Sequence, residues 1–129
     1  MTVHTLKLWP VYFDAVADGR KRFEVRSTKD RTFAVGDVLV LREWDHNTET
    51  YSGRSVRVVV TFMVEGAPFL PEGTAVLSID PAHEWVPGGR ERNGLDVCKH
   101  CGVDDAVAWY AAPAGGDRLV QCVTKGEGR

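Results

Sequence analysis

The sequence predicts a mainly β domain with α+β character, a small barrel of about five strands with one helix near the N-terminus. The strongest signal is the segment from Arg54 to Gly66, whose alternation of apolar and polar residues is typical of a half-buried strand. The apolar members of this segment are Val56, Val58, Val60, Phe62 and Val64. The later strands are not separated by helical crossovers, which argues against a parallel α/β sheet.

The N-terminal segment predicts a strand followed by a helix. His4–Trp9 reads as a short strand, with Leu6 and Leu8 on one side and polar residues on the other. A proline then suits a first helical turn, and the apolar residues that follow it form one stripe. Gly19 is expected to end this helix, because glycine tolerates the left-handed backbone conformation.

The remaining strands follow from alternation and turn residues. Lys21–Arg26 is predicted as a strand with Phe23 and Val25 facing inward and with Arg22, Glu24 and Arg26 on the other face. Two further strands are predicted at Val38–Trp44 and Thr74–Asp80.

The character of the chain changes after Pro81, where polar and glycine-rich stretches replace the alternating strands. This tail contains too little apolar material for a core of its own. We therefore predict a β domain over residues 1–82 and a small tail over residues 83–129.

Composition excludes several broad classes. A chain of 129 residues with 43% hydrophobic residues and a net charge of −2 is not a general nucleic-acid coat, because such binding depends on neutralising phosphates. No apolar run approaches the ~20 residues that span a bilayer. The first residues also lack a signal-peptide pattern, so we expect a cytoplasmic protein with no membrane partner.

Residues 20–31 carry six Lys/Arg and two acidic residues. These charges either keep a solvated edge strand from aggregating or form a local binding patch. Arg42, Arg54 and Arg57 add to the patch if their strands lie beside it.

The order of residues in this segment resembles a known family. Gly19, Lys21, Glu24 and Arg26 fit the pattern G-x-K-x-x-E-x-R of the ASCH family of PUA-like domains. Further blocks over residues 4–80 look like an uncharacterised ASCH-related branch that is frequent in phages and prophages. The resemblance implies a small β-barrel with the motif residues in a cleft between helix and barrel. Relatives with this fold bind RNA or read modified bases, and a few are hydrolases, including a bacterial type that deacetylates acetylcytidine.

The chemistry of these residue types is consistent with a ligand site. A lysine suits a phosphate, an arginine offers a planar fork, and a carboxylate can hold either cation or move a proton. In a regular strand Lys21 and Glu24 point to opposite faces, so they converge only if Lys21 lies at the helix-to-strand corner or if a bulge intervenes. The alternative is a structural pair of Glu24 with Arg26 that leaves Lys21 in solvent.

Aromatic residues are candidate stacking platforms for bases. Of Trp9, Tyr12, Trp44 and Tyr51, we expect only Trp44 to be exposed at the cleft, because it follows a charged pair at a strand end. The predicted ligand-binding set is therefore Gly19, Lys21, Glu24, Arg26, Arg42 and Trp44.

The leading hypothesis is a module that binds RNA or a nucleotide in this cleft. An alternative is a hydrolase, acting on acetylated cytidine or as a nuclease, with Lys21, Glu24 and Glu65 as catalytic residues. The deacetylating relatives have a threonine where this chain has Glu24, which weakens that alternative. A third hypothesis is an interaction or inhibitor protein that contacts a protein partner through the tail.

The three cysteines of the chain lie in the tail and suggest a structural zinc site. Cys98-x-x-Cys101-Gly forms a knuckle and Cys122 supplies a third thiolate, while His83 and His100 compete as the fourth ligand. The order H-x-W then C-x-x-C-G resembles short zinc-ribbon tails, which favours the set His83, Cys98, Cys101 and Cys122. The alternative is a degenerate knuckle without metal, or reactive thiols.

Overall fold

The computed structural model describes residues 1–87, 96–101 and 121–125. Strands dominate these residues, and the helix is short. The elements in chain order are β1 (Val3–Leu8), α1 (Pro10–Ala17), β2 (Phe23–Ser27), β3 (Val38–Asp45), β4 (Thr50–Glu65), β5 (Thr74–Pro81), β6 (Trp85–Pro87), β7 (Asp96–Cys98) and β8 (Cys122–Lys125).

Five strands form one curled sheet, a half-barrel in the order β1-β3-β4-β5-β2. β1 runs parallel to β3, and the other neighbours are antiparallel. The prediction of a mainly β fold with about five strands and an N-terminal helix is confirmed. A sixth strand, β8, pairs with β4 from Arg54 to Arg57, just beyond Val58, where the pairing with β5 ends. β6 and β7 form a separate two-stranded sheet.

The core lies on the concave side of the sheet, where α1 covers it. Leu6 and Leu8 face inward as predicted, and Phe13 and Val16 of α1 pack against the same cluster. The strand residues that complete the core are Leu39, Leu41, Val56, Val58, Val60, Ala75, Leu77 and Ile79.

The predicted stripe along β4 is correct over its first half only. Val56, Val58 and Val60 are buried, whereas Phe62 is 64% exposed and Val64 is also on the outside. The register with β5 shifts between Val60 and Phe62. Such an irregularity moves later residues to the opposite face of the strand, so the prediction that all five residues share one buried face is wrong.

The predicted orientation of β2 is also wrong. Glu24 is only 2% exposed, whereas Phe23 and Val25 are 46% and 52% exposed. The alternation is present, but the charged face points inward. Among the described strands, β2 lies at the edge of the sheet and pairs with β5 alone, and the side chains beside it supply partners for a buried carboxylate.

The end of α1 forms a tight corner before β2. Gly19 adopts a φ of +85°, which favours glycine, and its N–H donates to the Val16 carbonyl at 3.1 Å. The N–H of Lys21 donates to the Ala15 carbonyl at 2.9 Å. The helix therefore ends two residues before the expected glycine, and the chain turns there so that Lys21 precedes the strand.

A buried carboxylate anchors the N-terminus to the turn before β3. Asp37 accepts hydrogen bonds from the N–H groups of Thr2 and Ala34, both at 3.0 Å, and lies 2.9 Å from Nε2 of His4. Burial opposes the charge on Asp37, but the bond with His4 and the two N–H groups hold the pKa of this carboxyl below its ordinary value.

None of the helices among the described residues is both long and apolar enough to cross a membrane.

Asp37→Asn is expected to lower the free energy of unfolding by about 2 kcal/mol, because charge-assisted hydrogen bonds are lost. A lowered pKa in the folded state means that this stabilisation is present above the unfolded pKa near 3.8 and is lost as pH falls through the lower folded value. Urea unfolding of both proteins should therefore show a deficit at pH 7 that shrinks below pH 3.8. Asp30→Asn, at an exposed loop position, is the control; an equal effect there would contradict the assignment.

Candidate ligand pocket and metal site

A pocket of about 480 Å³ opens at the seam of the half-barrel, between the end of β1 and the edge strand β2. Its volume lies within the range of about 300–1,000 Å³ that is common for small-molecule sites. The residues that line it are Lys7, Leu8, Trp9, Tyr12, Lys21, Phe23, Glu24, Val25 and Arg26.

Glu24 is the organising group of the pocket. One of its carboxylate oxygens, Oε1, accepts from Nε and Nη2 of Arg26 at 3.0 and 2.8 Å, and the other accepts from Nζ of Lys21. The Lys21 and Arg26 side chains are only 16% and 21% exposed. The three formal charges sum to +1, so the cluster remains cationic while its carboxylate is satisfied.

The side chains at positions 21 and 24 meet because Lys21 lies at the corner after α1 and not within β2. Its Nζ also donates to the Phe23 carbonyl at 2.6 Å. A corner position of Lys21 and a bulge in β2 were the two predicted ways for Lys21 and Glu24 to converge. The structure shows the corner. The alternative, with Lys21 free in solvent, is wrong.

Arg26 connects the two edges of the half-barrel. Its Nη2 donates to the Lys7 carbonyl on β1 at 2.9 Å while the same guanidinium binds Glu24. A side chain therefore bridges the gap between β1 and β2, and the pocket lies at this bridge.

Three half-exposed aromatic rings stand beside the cations. Trp9 is the N-cap residue of α1, and its ring stacks on Tyr12 with centroids 6.2 Å apart. Nζ of Lys21 lies 4.8 Å from the Phe23 ring centroid and 5.9 Å from that of Tyr12. The pocket thus combines fixed cations with flat apolar surfaces. Phe23 is missing from the predicted binding set because the alternation of β2 predicts it in the core, although its position two residues after Lys21 signals a place near that cation.

Other predicted site residues lie elsewhere. Trp44 is half-buried under Lys7, whose Nζ is 4.2 Å from the ring centroid, and Arg42 stacks on Tyr51 at 3.8 Å. Neither lines the pocket, so the expectation that Trp44 is exposed at the cleft is not met. Their side chains lie on the outer face of β3, which alternates with the buried residues of that strand.

Gly19 and Glu65 are also outside the pocket lining. Gly19 forms the corner behind Lys21, and Glu65 is an exposed residue at the far end of β4, opposite Ala75. Gly19 thus shapes the position of Lys21 without lining the pocket, and Glu65 is not brought near it.

Different residues of the basic segment 20–31 fulfil its two predicted roles, the solvated strand edge and the binding patch. Arg20 and Arg22 form exposed ion pairs with Asp18 and Asp80, at 2.8 and 3.1 Å, as expected of a solvated edge. Lys21 and Arg26 instead enter the pocket. The expected contribution of Arg54 is absent from the pocket lining, because its guanidinium binds Glu43 through two bonds of 2.9 Å.

The tail brings together the four predicted metal ligands. The ligand atoms of His83, Cys98, Cys101 and Cys122 all lie within 4.8 Å of one another, so the cluster could hold a metal ion. His100 points elsewhere, since its Nε2 lies 2.9 Å from Oε1 of Glu84. The preference for His83 over His100 in this cluster agrees with the geometry.

The thiols of the cluster differ in their environments. Burial opposes ionisation of Cys98, but hydrogen bonds from the backbone N–H groups of Cys101, Glu84 and His100, with a contact to His83, lower its pKa to about 6. Burial raises the pKa of Cys122, and the neighbouring thiols of Cys98 and Cys101 raise it further. A bound cation would favour the thiolate of both.

Residues 3–79 match the family described as a domain of unknown function, DUF3850. The chain belongs to this family. The match contains the whole pocket lining and ends before His83, so the candidate metal ligands lie outside it.

One similar protein comes from Escherichia phage P2, where it is described as an uncharacterised 12.9 kDa protein in the GpA 3′ region. It is 37% identical to this chain over 70 residues, which cover 54% of this chain and 62% of the phage protein. The chain thus spans less than two thirds of that relative. The expected likeness to an uncharacterised, phage-type family is confirmed at this level.

Glu24→Gln is expected to lower the free energy of unfolding by about 3 kcal/mol, because it leaves two partly buried cations without their carboxylate. The matched control is Asp80→Asn, which breaks an exposed pair with Arg22 and should cost less than about 1 kcal/mol. Urea unfolding at neutral pH measures both. Equal losses in the two variants would contradict the central role of Glu24.

Proposed function

We propose that the chain is a binding module for single-stranded RNA or a nucleotide, of the ASCH/PUA-like type, and that the seam pocket is its ligand site. The observation that carries this proposal is the buried Glu24, which holds Lys21 and Arg26 together beside exposed aromatic rings. A nucleotide offers the complementary parts, an anionic phosphate and a flat base.

The cations suit a phosphate because their positions are fixed before a ligand arrives. Lys21 is held by Glu24 and the Phe23 carbonyl, and Arg26 by Glu24 and the Lys7 carbonyl. Ordering long side chains on binding costs about 0.5–1.5 kcal/mol each, and this cost is reduced here. These bonds use two of the three lysine donors and leave donors on the guanidinium as well.

The aromatic wall suits a base that has left a duplex. Stacking on Tyr12, Phe23 or the part of the Trp9 ring that His46 does not cover tolerates every base, since each base has a π-face. Among the described residues the helix has eight positions and packs its apolar stripe on the core, so it is not available to enter a major groove. Single-stranded nucleic acid is therefore favoured over duplex DNA.

The hydrolase alternative receives less support. Both carboxylate oxygens of Glu24 already accept hydrogen bonds from Lys21 and Arg26, so Glu24 is placed to hold these two side chains. Glu65, the other proposed carboxylate, lies outside the pocket lining. We therefore propose binding without turnover.

We further propose that the metal is zinc and that its role is structural. Three thiols and one imidazole form a donor set that zinc accepts in tetrahedral geometry, and four protein ligands leave no position for a substrate. The ligands come from three separate segments, so an ion would connect them.

Lys21→Gln and Arg26→Gln are each expected to weaken binding of a short fluorescein-labelled single-stranded RNA of randomised sequence by about tenfold. Each variant should also reduce the slope of log K against log salt by about 0.7, because one phosphate contact is lost. Fluorescence anisotropy over a salt series measures both quantities.

Lys29→Gln removes a charge from the same basic segment outside the pocket, where its side chain packs against Gly73, and should change the affinity little. Trp9→Ala should cost about 1–3 kcal/mol of stacking, whereas Trp44→Ala should not. Equal losses for the pocket variants and their controls would refute the pocket as the site.

The purified protein is expected to carry one zinc ion per chain, measured by native mass spectrometry and elemental analysis. Cys98→Ser should abolish retention, and His100→Ala should leave it intact because His100 faces Glu84. Retention by Cys98→Ser, or loss in His100→Ala, would overturn the proposed ligand set.

A further inference from the structure

We propose that strand β8, fastened through Cys122 to the metal cluster, is the support that positions Lys21 in the seam pocket. The positional part depends only on the fold and the metal cluster. Its consequence for ligand affinity rests on the proposed function.

β8 is short and depends on external attachment. It has four residues and pairs with β4 from Arg54 to Arg57. Cys122 begins the strand, is completely buried, and belongs to the cluster with His83, Cys98 and Cys101. Strands of this length contribute few ladder hydrogen bonds, so a metal ion that ties Cys122 to two other segments would dominate their attachment.

The residue before Cys122 reaches the end of helix α1, and the residue after it packs on the apolar core. The side-chain nitrogen of Gln121 lies against Gly19, 3.8 Å from the position that a Cβ there would occupy. Val123 packs against the same apolar core as Ala17, the last residue of α1. The start of β8 therefore lies beside the corner that follows the helix, where the chain turns toward the pocket.

The end of the helix in turn sets the position of Lys21. The N–H groups of Gly19 and Lys21 both bond to carbonyls of α1, those of Val16 and Ala15. Only Arg20 separates the residue that touches Gln121 from the residue that binds Glu24. A shift of the Gly19 backbone therefore moves the origin of the Lys21 side chain directly.

A second link joins the same part of the sheet to the helix. Arg54, which pairs with Lys125 of β8, donates to Oδ1 of Asp14 on α1 at 3.2 Å, and its guanidinium lies 4.7 Å from the Phe13 ring centroid. The part of β4 that β8 covers is thus also the part that holds the helix. Both links connect β8 to the region of helix α1, one through Gln121 and the other through β4, and Gln121 acts there as a positioning residue.

Amide hydrogen exchange on the full chain tests this support. The Lys21 amide is a direct reporter, because it is protected by its bond to Ala15. Removing zinc with a chelator is expected to raise exchange in β8 and, by about tenfold, at Gly19 and Lys21, while core amides of β3 stay protected. Restoring zinc should reverse the change.

Gln121→Ala tests whether β8 positions Lys21 without changing the stability of the whole chain. It keeps all four metal ligands, so zinc content and β8 protection should match the wild type while exchange at Lys21 rises. The matched control is Thr124→Ala, which loses a 3.1 Å bond from β8 to the His100 carbonyl on the side of the knuckle, and should leave Lys21 unchanged. If chelation unfolds the whole chain, this pair of variants still decides the question.

Unchanged Lys21 exchange in both the chelated protein and Gln121→Ala would overturn the inference. If the labelled RNA binds, its affinity should fall several-fold in Gln121→Ala at full zinc occupancy, and an unchanged affinity would overturn the consequence for the pocket. If the RNA binds to no form of the protein, the proposed function fails, while the exchange data still decide whether β8 positions Lys21.

Discussion

A buried carboxylate at the open seam of the half-barrel is the constraint on which the pocket depends. Moving an ionised carboxylate out of water costs several kcal/mol unless cations and hydrogen bonds replace the lost solvation. Lys21 and Arg26 supply that replacement from the two sides of Glu24. Because Arg26 also binds the Lys7 carbonyl, the compensation of one charge brings the edges of β1 and β2 together.

The burial of Glu24 explains both the positive charge of the pocket and the exposed apolar side chains beside it. Glu24 neutralises only one of the two cations, so the positive charge that remains is fixed at a place where aromatic rings also meet. The exposed Phe23 and Val25 follow directly, since a strand that turns Glu24 inward must turn its neighbours outward. An inward hydrophobic face on β2 would have given a closed core and no site.

The sequence predicted the alternation of side chains along each strand better than which set of side chains faces the core. The apolar face of β1 and the first half of the alternation in β4, from Val56 to Val60, identified buried residues correctly, because these side chains all join one apolar core. The orientation of β2 and the bulge after Val60 depend on partners distant in sequence, Lys7 and the residues of β5, which no local pattern contains. The sequence could predict the convergence of Lys21 and Glu24, because only a corner or a bulge allows it. The position of Trp44 could not be predicted in this way, because it depends on which face of β3 lies outside.

β8, which lies outside the family match, pairs with an edge of β4 that β5 leaves unpaired. β4 has 16 residues and β5 only eight, so one edge of β4 continues beyond the last β5 residue, Pro81. An uncovered strand edge invites pairing with another chain. β8 pairs with this edge of β4 from Arg57 back to Arg54. Cys122, which lies opposite Arg57, is also a member of the metal cluster. A metal ion at this junction would let a short strand cover the edge without an apolar core of its own, and the core that the strand does touch is the one beneath the helix that sets Lys21.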